Sequence, residues 1–420
     1  MYDLISELYP ICRSITGDGV RRTLEIINRH VPLTVHEVCT GTKVFDWTVP
    51  REWNIRNAYI RTPAGEKIAD FAESNLHVVN YSLPVSGEFP LHELRDHLFT
   101  LPEHPDWVPY RTSFFRESWG FCLSHRKLMS LKDGMYQVLI DSTLKDGSLT
   151  YGEAVIPGRT TDEVLISTHI CHPSLCNDNL SGISLATQLA RSLKTRQLRY
   201  SYRFLFIPST IGSITWLSQN EDRLSRIMHG LVLACVGDSG MTTYKKSRRG
   251  NAEIDRAMMH ALRHSGQAFE TVDFFPFGYD ERQYCSPGFD LPVGCLMRTP
   301  HGKFKEYHTS ADNLDLVRPE FLADSYAKAV AALEILENNR TLINQNPKCE
   351  PQLGRRGLYR AYADQRDGGK EELAMLWVLN MSDGRNSLLD IADKSGLPFE
   401  LVREAADLLQ VHGLLGDHAS

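Results

Sequence analysis

The sequence predicts an α/β fold: a mixed, mostly parallel sheet with an inserted β-rich module and a small winged-helix module at the C-terminal end. Three observations predict it. Buried-strand runs alternate with helical runs from about residue 151 to 340. The stretch 35–150 breaks that rhythm with short alternating segments and many aromatics. The last fifty residues carry three helical runs in close succession. Strand and helix in turn imply parallel strands covered on both faces.

Taken in order, residues 1 to about 32 read as helix, with Leu4, Ile5, Leu8, Ile11 and Ile15 on one face and Gly17 and Gly19 interrupting it. Leu33–Val38, Ala58–Arg61 and Gln137–Ile140 read as strands separated by Pro- and Gly-containing turns. Glu163–Thr168 (EVLIST) has the length and content of a buried strand, and Leu180–Leu193 follows with helical spacing. Arg203–Ile207 (RFLFI) is a second strand, Ile214–Leu217 begins a second helix, and Leu231–Val236 (LVLACV) is a third strand. Chemistry in such sheets collects beyond the carboxyl ends of the strands. That singles out the loops 169–179, 208–212 and 237–240. Residues 323–339 read as helix and 344–352 as a linker. Helical runs near 370–380, 387–395 and 398–410, ending in His412–Leu415, outline the winged helix. The expected division is 1–34 with 151–344 as the core, 35–150 as the insertion and 353–420 as the winged-helix module.

Composition excludes several roles. The chain has 420 residues, suiting two or three domains, and a formal charge of −6. Nucleic acid and anionic membrane both need a basic surface, so neither is an expected partner. Residues 370–420 hold nine acidic and four basic side chains, which argues against DNA binding by the winged helix and for a protein contact. Either the winged helix or the insertion could carry a homodimer contact. No window approaches 18 apolar residues, and the start has no secretory pattern. Nine cysteines without regular spacing fit free thiols in a reducing compartment, so a cytoplasmic location is expected.

The segment Ser167-Thr-His-Ile-Cys-His-Pro-Ser-Leu-Cys-Asn-Asp-Asn-Leu-Ser-Gly182 closes a buried strand with His169 and opens the next helix with Asp178. A strand-end imidazole is held rigidly while a loop carboxylate can swing to meet it. His308, in Tyr307-His-Thr-Ser-Ala-Asp312, would complete three protein ligands. Catalytic zinc sites stop at three and leave a position for water. His172, three residues after His169, could be an extra ligand but reads rather as a loop-packing or orienting group; Cys171 and Cys176 could bind zinc as thiolates but read rather as small buried thiols; and Asp312 reads as a capping or orienting group. Gly237-Asp-Ser-Gly240 mimics a serine-protease nucleophile motif, but it follows an α/β-type strand.

His169, then Asn177-Asp-Asn-Leu-Ser-Gly182 opening a helix, then Tyr307-His-Thr-Ser-Ala-Asp312, resembles the clan of co-catalytic zinc aminopeptidases. Within it, the chain is similar to a bacterial subfamily with an inserted β-rich domain and a C-terminal winged helix. Trp47-Thr-Val-Pro-Arg-Glu-Trp53, Trp119-Gly-Phe-Cys122, Tyr151-Gly-Glu153, Tyr279-Asp-Glu-Arg-Gln-Tyr284 and Gln352-Leu-Gly-Arg-Arg-Gly-Leu-Tyr359 carry that likeness. It implies a zinc-aminopeptidase-like core, zinc, and a small peptide- or amide-like substrate.

Two departures from the clan's pattern stand out. Where it places Glu-Glu-x-Gly, the first Glu acting as general base and the second as ligand, this chain reads Pro208-Ser-Thr-Ile-Gly212. Ser209 thus occupies the base position and Thr210 the ligand position, and neither hydroxyl accepts a proton near neutral pH. Loss of a general base costs about 100- to 10,000-fold in rate. The position of a further metal-binding Asp is Ala234, for which the neighbouring Asp238 could substitute. A depleted ligand set favours one zinc over two. Asp280, Glu281 and Glu306 are candidates to supply the missing base. Arg282 and Arg298 could hold a substrate carboxylate, and Tyr284 stands beside them as a substrate-contact candidate. The expectation is a zinc-dependent hydrolase or acyl-transfer enzyme on an aminopeptidase-like core, or a catalytically silent relative that binds or scaffolds.

Overall fold

A computed structural model describes residues 1–358 and 368–417. The chain divides into two compact units, Met1–Ile254 with Ala268–Ala327, and Asp255–Gln267 with Lys328–Ser420.

The first unit opens with α1 (Tyr2–Leu8) and α2 (Asp18–Asn28), so the expected single helix is two. Gly17 caps the second at φ 95°, and a β-carbon there would meet the Trp53 carbonyl at 2.0 Å. The chain must pass the Trp53 backbone there, and only glycine lets it do so. Strand β1 (Thr34–Cys39) follows. A four-stranded antiparallel sheet is then made of β2 (Glu52–Arg61), β3 (Lys67–Asp70), β4 (Val85–Pro90) and β5 (Met135–Lys145), in the order β3-β2-β5-β4. It buries Ala58, Ile60, Leu94, Phe121, Tyr136, Val138 and Ile140 in a core of its own.

The main sheet has eight strands. It continues through β6 (Ser148–Ile156), β7 (Glu163–His169), helix α3 (Gly182–Leu193), β8 (Ser201–Ile207) and helix α4 (Ile211–Gln219). Strands β9 (Ile227–Leu233), β10 (Thr242–Lys245), β11 (Phe269–Val272) and β12 (Val293–Met297) complete it. The order is β1-β6-β8-β7-β9-β12-β10-β11. The central block β8-β7-β9-β12 is parallel and the flanks bring in antiparallel pairs. Every residue of β7 is buried, as a strand covered on both faces requires.

Two boundaries differ from the sequence expectation. β1 and the start of β6 belong to the main sheet, so the β-rich sheet lies within Glu52–Lys145 rather than filling 35–150. The third strand stops at Leu233 instead of Val236, because side chains of the β7–α3 loop take the N–H groups of Cys235 and Val236.

In the second unit, β13 (Thr341–Asn344) pairs antiparallel with β14 (Asp383–Ser387) and β15 (Leu415–Asp417). The strand therefore begins the winged-helix sheet where a linker was expected to start. Helices Gly368–Met381, Leu388–Ser395 and Phe399–Val411 pack on that sheet. Ser387 and Asp390 form a reciprocal capping box at the middle helix. Tyr359, the last residue of the Gln352–Tyr359 signature, and the tail 418–420 lie outside the described residues. No helix among the described residues is long and apolar enough to cross a membrane.

Candidate metal centre

The centre forms where β7 ends. His169 is the last residue of that fully buried strand, so its ring leaves the sheet from a fixed backbone. The loop that follows is sewn to the end of β9 by alternate side chains. Asn177 Oδ1 accepts from Gly237 N at 2.9 Å, Asn179 Oδ1 from Cys235 N at 3.2 Å, and Ser181 Oγ from Val236 N at 3.0 Å. From the other side the Asp312 carboxyl accepts the N–H groups of Asn177 and Asp178, at 2.6 and 2.9 Å. The spacing Asn-Asp-Asn-x-Ser is thereby explained: residues 177, 179 and 181 bind backbone, and Asp178 is left to point inward.

The Asp178 side chain has no exposed surface. Its two oxygens face different rings, Oδ1 lying 2.8 Å from His169 Nε2 and Oδ2 3.0 Å from His308 Nε2. His172 Nε2 lies 3.7 Å from the same Oδ2. Donor atoms of His169, His172 and Asp178 all fall within 4.8 Å of one another, a group that does not include His308. Aromatic rings hold the imidazoles in place. Tyr279 stacks on His169 with centroids 5.2 Å apart, and Tyr307 on His308 at 3.9 Å. Tyr110 packs against both His172 and His308, at 5.2 and 5.0 Å.

Burial works against the charge on Asp178, but the imidazoles of His172, His169 and His308 outweigh it and hold the carboxyl well below its usual range. Burial pushes His172 down to about 3, leaving a neutral ring with a lone pair to offer. The Cys171 thiol is raised by burial to about 12 and the Cys176 thiol is raised still further. Both stay protonated at neutral pH, which fits their reading as packing groups.

Among the base candidates only Asp280 sits at the centre. It is fully buried, Oδ1 accepts from Ser213 Oγ at 2.7 Å, and Oδ2 has no hydrogen-bond partner among the described residues. Burial raises its pKa to about 6 even though the His169 ring and the Ser213 and Ser209 hydroxyls favour the charged form. Glu281 is fully buried too, but Lys245 Nζ donates to it at 2.8 Å. Glu306 is half-buried, with Lys305 Nζ 3.8 Å from its carboxylate. Ser209 follows β8, where its carbonyl faces the Cys171 thiol at 3.8 Å.

Three sequence expectations are corrected. Asp238 is not among the donors grouped around Asp178: its oxygens accept from Asn177 Nδ2 at 3.2 Å, Gly240 N at 3.0 Å and the Thr299 N–H and hydroxyl. A carboxylate so fully bonded is a loop clamp. Tyr284 is fully buried, with its hydroxyl 2.9 Å from Ser167 Oγ, which puts it in the core. Arg298 is 6% exposed and donates to Asp324 at 2.5 Å, with its guanidinium over Phe321, so its charge is already matched. Arg282 lies over the exposed Phe277 ring, at 5.6 Å.

Two further residues stand at the centre. His172, whose spacing of three from His169 makes it a candidate extra ligand in the sequence, lies with its Nε2 3.7 Å from Asp178 Oδ2. Tyr110 carried no local signal, because it arrives from the segment between β4 and β5. That segment is fastened to the His308 loop: Tyr110 N donates to His308 O at 2.7 Å, and Val108 and Ser310 exchange two further bonds.

A mostly parallel sheet with a His–Asp–His centre at its carboxyl edge defines an aminopeptidase-like protein. A zinc aminopeptidase from Bacillus subtilis superposes with a TM-score of 0.58 at 13% identity, covering 80% of this chain and 93% of that one. A peptidase M28 precursor from Shewanella amazonensis gives 0.54 at 13% identity over 80% and 92%. More particularly, the chain belongs to the family described as a domain of unknown function, DUF4910, which residues 2–339 match, while residues 340–417 match a winged helix-turn-helix. A Clostridium acetobutylicum protein, provisionally named for polysaccharide biosynthesis and an aminopeptidase-like domain, is 56% identical over 97% of this chain and 94% of its own length. A crystal structure from the same organism, provisionally described as a peptidase, has a TM-score of 0.95 at 55% identity, over 99% and 95% of the two chains.

Proposed function

We propose that this chain is a zinc-dependent hydrolase or acyl-transfer enzyme acting on a small peptide- or amide-like substrate, with Asp280 as its proton acceptor. One observation carries the reading: a fully buried carboxylate, Asp178, is bracketed by imidazole nitrogens at 2.8 and 3.0 Å with a third ring at 3.7 Å. The donor set fits zinc, which takes imidazole nitrogen and carboxylate oxygen together. His169, Asp178 and His308 would hold it, one ion being favoured by the absence of a carboxylate at residues 210 and 234. Zinc bound there would polarise an amide or ester carbonyl and lower the pKa of a bound water.

The chain's own residues supply the rest. Asp280, at about 6, is mostly ionised at neutral pH yet basic enough to accept a proton, the compromise a general base requires. Its Oδ2, without a hydrogen-bond partner among the described residues, is the accepting atom. The Tyr110 hydroxyl, buried between His172 and His308 without a partner among the described residues, would donate a hydrogen bond to the substrate oxygen. The Clostridium relative's name extends the reading to an amide-bearing precursor in polysaccharide assembly. Action in the cytoplasm, and a homodimer contact through the winged helix or the insertion, belong to the same reading.

A second reading, a silent binding or scaffold protein, is favoured by the hydroxyls at Ser209 and Thr210, where the clan's pattern has carboxylates. Metal analysis of the purified protein and a turnover screen on aminoacyl and peptidyl amides separate the two. The expected result is stoichiometric zinc with turnover that His169→Ala abolishes. Zinc without turnover on any amide, unimproved by Ser209→Glu, establishes the silent reading instead.

A further inference from the structure

We infer that His172 is the third protein ligand of the ion gripped by His169 and Asp178, filling the corner that Ala234 leaves without a donor. The inference rests on the zinc reading above and goes beyond it, because it reassigns the tight end of the donor set.

Three observations carry it. Donor atoms of His169, His172 and Asp178 lie within 4.8 Å of one another, and His308 is outside that group although it touches Asp178 Oδ2 at 3.0 Å. Ligand atoms of a tetrahedral zinc sit roughly 3–3.5 Å apart, so adjustments of about 1 Å or less bring the three onto one ion. The His172 ring is also aimed. Its Nδ1 lies 3.6 Å from the Cys171 sulfur, which turns Nε2 toward Asp178, and an outer nitrogen held in this way is what a ligating imidazole needs. The backbone beneath it is anchored from another part of the chain. Arg13, fully buried, donates from Nε to the His172 carbonyl at 2.7 Å and from Nη1 to Leu8 O at 2.8 Å.

The corner opposite shows why a donor is needed. Near His169, the end of β9 offers Ala234, which has no ligand atom, and Asp238 is committed to Thr299, Asn177 and Gly240. Without His172 the donors within 4.8 Å of one another would be one imidazole and one carboxylate oxygen, and the third ligand a zinc site needs would have to come from His308, outside that group. His308 faces the same Oδ2 as His172 but lies outside the group of donors within 4.8 Å, and is then the weaker contributor to that ion.

The test is zinc affinity of the full-length, metal-stripped chain by competition with a chromogenic chelator, in wild type, His172→Ala and His308→Ala. Loss of an orienting partner weakens metal binding roughly 10- to 100-fold. His172→Ala is therefore expected to lose more than about 100-fold, and His308→Ala less than His172→Ala. Cobalt-loaded His172→Ala should show an altered visible spectrum that added imidazole restores, a change that a packing defect would not produce. His172→Gln serves if the alanine form does not fold, and is expected to lose affinity to the same degree. Wild-type affinity and an unchanged cobalt spectrum in the His172 variants overturn this inference alone. So does a greater loss in His308→Ala. A wild-type chain that binds neither zinc nor cobalt overturns the zinc reading and this inference together.

Discussion

β7 and β8 run side by side in parallel, with His169 opposite Ile207, yet the loops that leave them carry different chemistry. The β7 loop keeps two imidazoles and a buried carboxylate, each side chain fixed by bonds to a neighbouring strand or loop. The β8 loop offers only Ser209 and Thr210, whose hydroxyls bind neither metal nor proton well at neutral pH. On the reading proposed above, metal holding and proton acceptance would be separable functions, placed on separate loops. The acid proposed to replace the missing one comes from a third segment, 279–281, whose Asp280 reaches toward the β8 loop.

The largest effect should come from breaking that replacement. Asp280→Asn keeps the shape and the Ser213 contact but cannot accept a proton. We expect kcat/KM to fall about 100- to 10,000-fold while zinc content is unchanged. The wild-type profile should rise as pH climbs through about 6, where Asp280 ionises, and the variant should lack that limb. A variant with wild-type rates and the same limb assigns the proton to another group.

Tyr110→Phe probes the wall that the β4–β5 segment contributes. A hydrogen bond to a charged group is worth roughly 1.5–3 kcal/mol, so turnover should drop about 10- to 100-fold with zinc affinity intact. An unchanged kcat would return Tyr110 to a packing role.

How much of this was legible in the sequence follows from the same loops. The buried runs EVLIST and RFLFI announce parallel strands, and the rule that chemistry gathers at their carboxyl ends singles out the His169 and Ser209 loops from sequence alone. His169, Asp178 and His308, singled out where motif and strand end coincide, are brought together in the structure. Tyr110 was not, since a lone tyrosine in an irregular stretch has no partner in sequence; only the bonds between 108–110 and 308–310 bring it in. Asp238, Tyr284 and Arg298 were overread for the opposite reason. Inside the core the Asp238 carboxylate, the Tyr284 hydroxyl and the Arg298 charge each already have a partner. The winged-helix sheet was missed at its start because Thr341–Asn344 is short and adjoins a Pro-containing run that resembles a linker.

Lys245→Met sharpens the contrast between Asp280 and its neighbour Glu281. Both acids are fully buried, but Glu281 is held by Lys245 at 2.8 Å, with the lysine itself 1% exposed. Removing the cation leaves an unpaired buried carboxylate, which costs about 3–5 kcal/mol. Chemical denaturation should show that loss. A stability change under about 1 kcal/mol would mean that Glu281 is easily neutralised, and would make it a rival to Asp280 as proton acceptor.

The smallest expected change is the most discriminating. Ser209→Glu introduces a carboxyl next to Asp280, whose charged form the Ser209 hydroxyl now favours. Replacing that hydroxyl with a like charge raises the Asp280 pKa further, since two neighbouring carboxylates resist ionising together. If Asp280 is the working base, the rising limb of the pH profile moves above about 6 and turnover at neutral pH changes by less than about 10-fold. If the chain merely lacks a base, the new glutamate supplies one and turnover climbs by 100-fold or more. The two outcomes differ in sign at neutral pH as well as in size, so one substitution decides whether the β8 loop has been relieved of its task or has simply lost it.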